Sequence, residues 1–427
     1  MLLACGNRET ILEGERLDLR APLLQEGEEP PAAPEVVADK LALTPPKVNA
    51  EWTHRNGSGT HSIPHPALNK TLAKVWTANI GAGNSRKRQI TADPVVAGGR
   101  VFTLDSQSGA RAFTTAGAVV WARDLTPPNE KAGEASGGGM AYGNGVLAVT
   151  TGHGDVWVLD PATGDTRWRH RMPGAISAPP VIVGDVVVAV SRDNTGMGLN
   201  IRNGRILWQT LSPGDTAGIA GAGAPAAMGN LAVVPYASGE VIGVVASNGL
   251  RAWSSAVTGQ RKGIARNIVN DISGDPVIVG SVLYVGNQAG RLASLDRRSG
   301  TPNWTARDGT YTPVWPDGGA VFVVTDNFQV KRLNVSDGAE VWSADLPGFK
   351  RANRPRRIRD AYAHFGPILA GGQVWVASSD GNLRSYNPAD GSLTGTVAVP
   401  GGAASQPAVA GGVMYVFSGN GQLHAYR

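Results

Sequence analysis

Apolar and polar residues alternate along most of this chain in short runs that glycines interrupt. Residues 177–210 show the pattern. Positions 179–183 form an apolar run, 184–185 a Gly-Asp turn and 186–190 a second run. A loop follows at 192–196, then a third run at 197–201, an Asn-Gly turn at 203–204 and a fourth run at 206–210. Period-two alternation predicts strands, and Asn-Gly suits a two-residue hairpin because both residues tolerate positive φ. Helical periodicity sustained over several turns is absent.

The unit repeats. Residues 287–304 run from Asn287 through Gly290 and an alternating strand to a turn ending in Gly300, with Trp304 four residues on. The same Gly-x-x-x-Trp spacing links Gly117 to Trp121, Gly164 to Trp168, Gly204 to Trp208, Gly249 to Trp253 and Gly338 to Trp342. Successive tryptophans lie 47, 40, 45, 51 and 38 residues apart. A period in this range marks an array of supersecondary units, and four antiparallel strands per unit make a propeller blade. The tryptophan falls on the outermost strand, where its large ring is expected to fill the junction with the next blade.

The last unit ends after a third strand near 422–426, while an unmatched fourth strand, Lys74-Val75-Trp76-Thr77, lies 45 residues before Trp121. Joining the two would close a ring and remove the exposed end of the array. Trp76, the six repeat tryptophans and Gly395, four residues after Gly391, count eight units. The expected fold is therefore all-β: an eight-bladed β-propeller of four-stranded antiparallel blades, the last closed by an N-terminal strand. Its blades are expected near 93–123, 139–170, 177–210, 222–256, 274–306, 312–344, 365–396 and 405–427 with 73–79.

The N-terminal part reads differently. Leu2-Leu3-Ala4-Cys5 resembles the lipobox of bacterial lipoproteins, with Cys5 as the lipidated residue. This reading requires a translation start upstream of Met1, because a basic and then apolar signal is missing ahead of the cysteine. Gly6 is not the aspartate that retains such lipoproteins in the inner membrane, so the resemblance favours the periplasmic face of the outer membrane. Residues 1–5 are thus a residual signal, 6–72 a flexible linker and strap, and 73–427 the propeller. The polar, proline-bearing stretch 7–50 is expected to be disordered. Residues 51–72 hold Trp52, His54, His61 and His65 and are expected to strap the ring. Pro64 and Pro66 oppose a helix that would place His61 and His65 on one face, so no metal site is expected there.

Charge adds one asymmetry. Residues 1–50 carry nine acids and five bases, whereas the whole chain has a net charge of +5. Three inter-blade loops are long: 211–223, 257–273 and 345–364. The last holds Lys350, Arg351, Arg354, Arg356, Arg357 and Arg359, a basic loop suited to an acidic partner. No apolar run is long enough to span a membrane. Cys5 is the one cysteine, so no disulfide forms within the chain.

The Gly-x-x-x-Trp repeat, with Leu159-Asp160 and Leu295-Asp296 before the turn, resembles the quinoprotein-like propeller repeat over about 73–427. With eight blades and the lipobox, the chain resembles the BamB family of the outer-membrane β-barrel assembly machinery. That resemblance implies a non-catalytic, cofactor-free scaffold, a monomeric subunit of a hetero-oligomer. Its implied partners are BamA-like periplasmic domains and unfolded β-barrel precursors, not nucleic acid. It also implies contacts from two loops. Gly221-Ala222-Gly223-Ala224-Pro225 matches one motif, with Ile219 at an apolar contact position and Ala220 in place of an arginine. Asp271 matches the other, with Ser273 in place of a second aspartate. The alternatives are a periplasmic dehydrogenase using pyrroloquinoline quinone and a small-molecule-binding propeller. The dehydrogenases of the repeat family add a vicinal disulfide, which one cysteine excludes, and a calcium site with an aspartate base. Deleting 1–50 is expected to leave the ring folded, as read by its melting transition.

Overall fold

The computed structural model describes residues 36–212, 223–259, 271–350 and 360–427. The compact unit treated below runs Ala38–Arg427. Among the described residues, thirty-two strands form eight four-stranded antiparallel sheets, the eight blades of a propeller. Blade three is built from Val181–Val183, Val186–Val190, Thr195–Asn200 and Ile206–Leu211, hydrogen-bonded in that order. Its middle strands are buried on both faces, and its outermost strand exposes most of its residues while burying Trp208.

The apolar core is a succession of layers between neighbouring blades. Ala226, Val233 and Val241 of blade four, for example, pack with Ile278, Leu283 and Leu295 of blade five. The repeat tryptophans cap these layers at the rim. Each indole N–H donates to a backbone carbonyl of the next blade: Trp121 to Pro161 at 3.0 Å, Trp168 to Ile201 at 2.7 Å and Trp208 to Ala246 at 2.6 Å. Trp76, Trp253, Trp304 and Trp342 do the same to Thr115, Arg297, Val335 and Pro388.

The repeat glycine is the receiving surface for that ring. Gly249 has φ +73°, and a Cβ there would lie 2.4 Å from the Trp208 side chain. The preceding residues shape the turn. In blade five, Asp296 Oδ1 accepts from the Arg298 and Ser299 N–H groups, both at 2.9 Å, an Asx turn that delivers Gly300 to Trp253. Gly-x-x-x-Trp thus encodes two half-contacts: the glycine receives the previous blade's indole, and the tryptophan four residues later serves the next.

The strand Lys74–Asn79 pairs antiparallel with Gln422–Tyr426 and completes blade eight. Ala73 and Arg427 exchange two backbone bonds of 2.9 Å, and Thr77 Oγ1 meets His424 Nδ1 at 2.9 Å. This closure also accounts for Gly395. The third and fourth strands of blade eight come from distant parts of the chain. No glycine turn joins them, so an indole at position 395 of blade seven would have no receiver.

The strap is more extensive than the sequence suggests, because residues 38–50 are part of it. Ala42 N–H donates to Gly318 at 2.8 Å, and Lys47 N–H to His65 at 2.8 Å. Thr44 bonds Asp317, and the Asn49 amide donates to Val409 at 2.6 Å. The polar, proline-bearing composition of 7–50 misled the linker reading here, since this segment is fixed by backbone and side-chain hydrogen bonds and by Leu41 and Leu43, which pack on the core. Deleting 1–50 is therefore expected to lower the melting transition.

Two further outcomes test the architecture. Trp208→Ala removes a buried ring and its hydrogen bond and lowers unfolding free energy by about 3–5 kcal/mol, read by denaturant titration. Deleting 73–79 opens blade eight and lowers the melting transition; a truncated chain that melts like the full one contradicts the closure.

Candidate partner face and the strapped channel

Strand direction gives the ring two unlike faces. The innermost strand of every blade starts at an inter-blade loop and ends at a tight turn to the second strand, so loops and turns lie on opposite faces. The strap lies on the turn face and bonds every blade. Trp52 exchanges two bonds with Val96 of blade one. Tyr142 N–H of blade two donates to Thr53, and Ile182 N–H of blade three to His54 Nε2. Ala227 N–H of blade four donates to Gly59, and Ile278 N–H of blade five to Thr60. Gly318 of blade six accepts from Ala42. Gly371 N–H of blade seven donates to Pro66, and Gly411 N–H of blade eight to Asn49. The Trp52 ring stacks on Trp315 with centroids 6.3 Å apart.

In the channel the strap ends in a charged peg. Arg55 Nε donates to Asp93 Oδ2 at 2.6 Å, and its Nη1 reaches Asp275 Oδ2 at 3.2 Å. Asn56 accepts from the Gln406 amide at 2.9 Å. Asp93, Asp275 and Gln406 occupy one repeat position, the residue before a proline at the start of the innermost strand, in blades one, five and eight. Sequence reasoning missed this network. The signal was present as Asp93-Pro94, Asp275-Pro276 and Gln406-Pro407, carboxylate or amide side chains where Ala224, Thr312 and Gly366 precede the corresponding prolines. Burial raises both aspartates, and the Arg55 charge pulls them back down.

The strap histidines bond to backbone. His61 Nδ1–H donates to the Pro276 carbonyl at 2.8 Å. His65 Nδ1–H donates to Thr44 at 2.8 Å, and its Nε2 accepts from Gly372 N–H at 2.9 Å. Among the described residues no group of three His, Cys, Asp or Glu side chains is placed to hold a metal ion. The dehydrogenase alternative calls for calcium and a quinone in the channel. The buried acids there do not fit, because the Arg55 guanidinium already occupies the space between Asp93 and Asp275.

The loop face carries the sequence candidates. Asp271 is described and is 1% exposed, so its expected role as a direct partner contact does not suit its position. It sits at the base of its loop, where Ile272 accepts from Gly223 N–H at 3.0 Å. That bond joins the described residues that follow 213–222 and 260–270, two segments that themselves lie outside the described residues. Ile219 belongs to the first loop and lies outside the described residues, as do Cys5, Arg351, Arg354, Arg356 and Arg357. The base of the arginine loop is described: Lys350 N–H donates to Asp360 at 2.9 Å, and Tyr362 N–H to Gly348 at 2.9 Å. Phe349 packs edge-on against Phe328 beside it.

Comparison with known proteins adds a family. The model for outer membrane protein assembly factor BamB matches residues 110–344 and 327–427. Outer membrane protein assembly factor BamB of Moranella endobia (strain PCIT) is 25% identical over 361 residues, covering 82% of this chain and 89% of its own. The crystal structure of BamB from Moraxella catarrhalis superposes with a TM-score of 0.67 at 19% identity, over 84% of this chain and 98% of that one. Quinohemoprotein alcohol dehydrogenase from Comamonas testosteroni superposes with a TM-score of 0.69 at 13% identity, over 88% of this chain and 80% of that one. At such identities both structures speak to the fold alone.

The strap gives the ring a pH response. Burial depresses His54 and His61 to about 3, and the charges of His61 and Arg55 respectively add to the effect. The unfolded chain binds these protons near pH 6.5 and the folded chain does not, so stability present above pH 6.5 is lost as pH falls toward 3. Each histidine costs about 2 kcal/mol between pH 7.5 and pH 5. The raised aspartates act in the opposite sense. His61→Asn is therefore expected to flatten the fall in denaturation midpoint between those pH values relative to the unaltered chain; an unchanged slope contradicts the buried, neutral imidazole.

Proposed function

From the premise that the chain belongs to the outer membrane protein assembly factor BamB family, we propose that it is a non-catalytic scaffold for the assembly of outer-membrane β-barrel proteins. It is tethered through lipidated Cys5 to the periplasmic face of the outer membrane, and its loop face docks a BamA-like periplasmic domain. The observation that carries this reading is the shared base at Gly223 and Ile272. It joins the described ends of the two loops on which the family resemblance places partner contacts. Long loops on a rigid ring suit binding, because the scaffold has already lost the freedom that docking would otherwise cost.

The residues take different parts. Ile219 supplies an apolar contact. Asp271, being buried, positions its loop and does not touch the partner. The arginine loop, with Arg351, Arg354, Arg356 and Arg357, adds charge that steers an acidic partner and acts mainly on association rate. Unfolded β-barrel precursors are the clients of the assembly, and the ring is one monomeric subunit of it.

Two outcomes test the proposal. Ile219→Glu weakens capture of a purified BamA-like periplasmic domain by about 2 kcal/mol, roughly thirtyfold, without moving the melting transition. Undiminished capture would remove the loop from the interface. Cys5→Ser shifts the protein from the membrane to the soluble fraction of fractionated cells, and a chain that stays membrane-bound contradicts the lipid tether.

A further inference from the structure

The inter-blade loop that enters blade one, 80–94, carries Arg86, Lys87 and Arg88 in succession, and all of it is described. Ser85 and Arg88 exchange backbone bonds of 2.7 and 3.4 Å, which puts Arg86 and Lys87 at the tip of a tight turn. Both tip residues are exposed. The turn is held from three blades. Asn84 N–H donates to Gly419 of blade eight at 2.7 Å, and the Ser106 hydroxyl of blade one donates to Gly83 at 2.6 Å. Gln89 N–H donates to Ser136, on the loop entering blade two, at 3.0 Å. Arg88 packs beside Gly133 of that same loop. The acids on the surrounding elements are already engaged. Asp105 accepts from Ala82 N–H at 2.9 Å and faces Arg111. Glu130 bridges Arg171 and His153. Glu134 accepts from Lys131 N–H at 3.3 Å, and that lysine balances its charge. Among the described residues Arg86, Lys87 and Arg88 form no ion pair, whereas the outer-strand arginines of blade two, Arg167, Arg169 and Arg171, all do.

We propose that this turn is a contact for an acidic patch on the polypeptide that docks on the loop face. The inference rests on the scaffold reading above and adds a contact to it. Adjacent cations repel one another, and an acidic surface relieves that repulsion. Guanidinium forks match carboxylates with two parallel hydrogen bonds. The turn is already ordered by its own bonds, so little conformational freedom is lost when a partner meets it. An anionic membrane surface is the lesser fit. Polybasic segments that hold to lipid headgroups present about four to eight cations, and this turn presents three.

The test measures binding of the full chain to a purified BamA-like periplasmic domain over a range of salt concentrations. Changing Arg86→Glu and Lys87→Glu together is expected to weaken binding about tenfold or more at low salt, with the difference shrinking as salt rises. Arg86→Gln with Lys87→Gln is expected to fall in between. The melting transition stays unchanged, because both tip side chains are exposed. Two further probes separate the alternatives. One is phosphatidylglycerol vesicles. The other is a pair of short labelled peptides, one rich in Glu and Asp and one with Gln and Asn in their place. The unaltered chain is expected to prefer the acidic peptide, and the Glu variant to lose that preference. Unchanged affinity for the domain at low salt overturns the proposal, as does a loss confined to the vesicles. A chain that captures no domain, yet keeps a preference for the acidic peptide that the Glu variant abolishes, loses the scaffold reading and retains the acidic contact. A chain that shows neither loses both.

Discussion

The pairing of Lys74–Asn79 with Gln422–Tyr426 turns eight separate sheets into a ring. Until it forms, blade eight lacks its outer strand and the seam between blades one and eight lacks its rim contact at Trp76. Once it forms, every inner layer has a neighbour on both sides, and the indole of Trp76 reaches Thr115 to seal the junction with blade one. The remaining rim contacts repeat that seal with local residues. Only the junction between blades seven and eight goes without an indole, where the closure itself leaves no receiving turn.

Closure leaves an open centre, and the strap fills one end of it. A single segment bonded to all eight blades resists their separation, and Arg55 links Asp93 and Asp275, which come from blades four places apart around the ring. A guanidinium between two buried carboxylates is costly to assemble and more costly to break, since removing one partner leaves an uncompensated charge. The peg therefore fixes the strap's position more than it adds net stability. Its functional consequence is a division of labour between faces. The turn face is occupied by the protein's own chain, and the partner surface proposed above lies on the loop face.

Much of this was legible in the sequence, for identifiable reasons. Gly-x-x-x-Trp shows because each half of the contact demands one residue type: an indole, and a glycine at positive φ beneath it. The unmatched strand at Trp76 shows because the repeat leaves a blade one strand short. The strap's reach does not show, since its bonds to Val96, Tyr142, Ala227 and Gly411 are made by backbone, which any residue supplies. Asp271 carries the right residue type for a partner contact, but one residue's identity says nothing about its depth. Arg55 could not be read at all without its partners, which lie 38 and 220 residues away.

The central claim is that one face binds the protein's own strap and the other binds partners. Hydrogen exchange of the full chain, with and without a BamA-like periplasmic domain, tests it most directly. The account predicts that the domain slows exchange in the inter-blade loops around Gly223 and Ile272 and leaves the turns at Gly98, Gly229 and Gly371 unchanged. Protection gained at those turns or in the strap, with the loops unaffected, would contradict it.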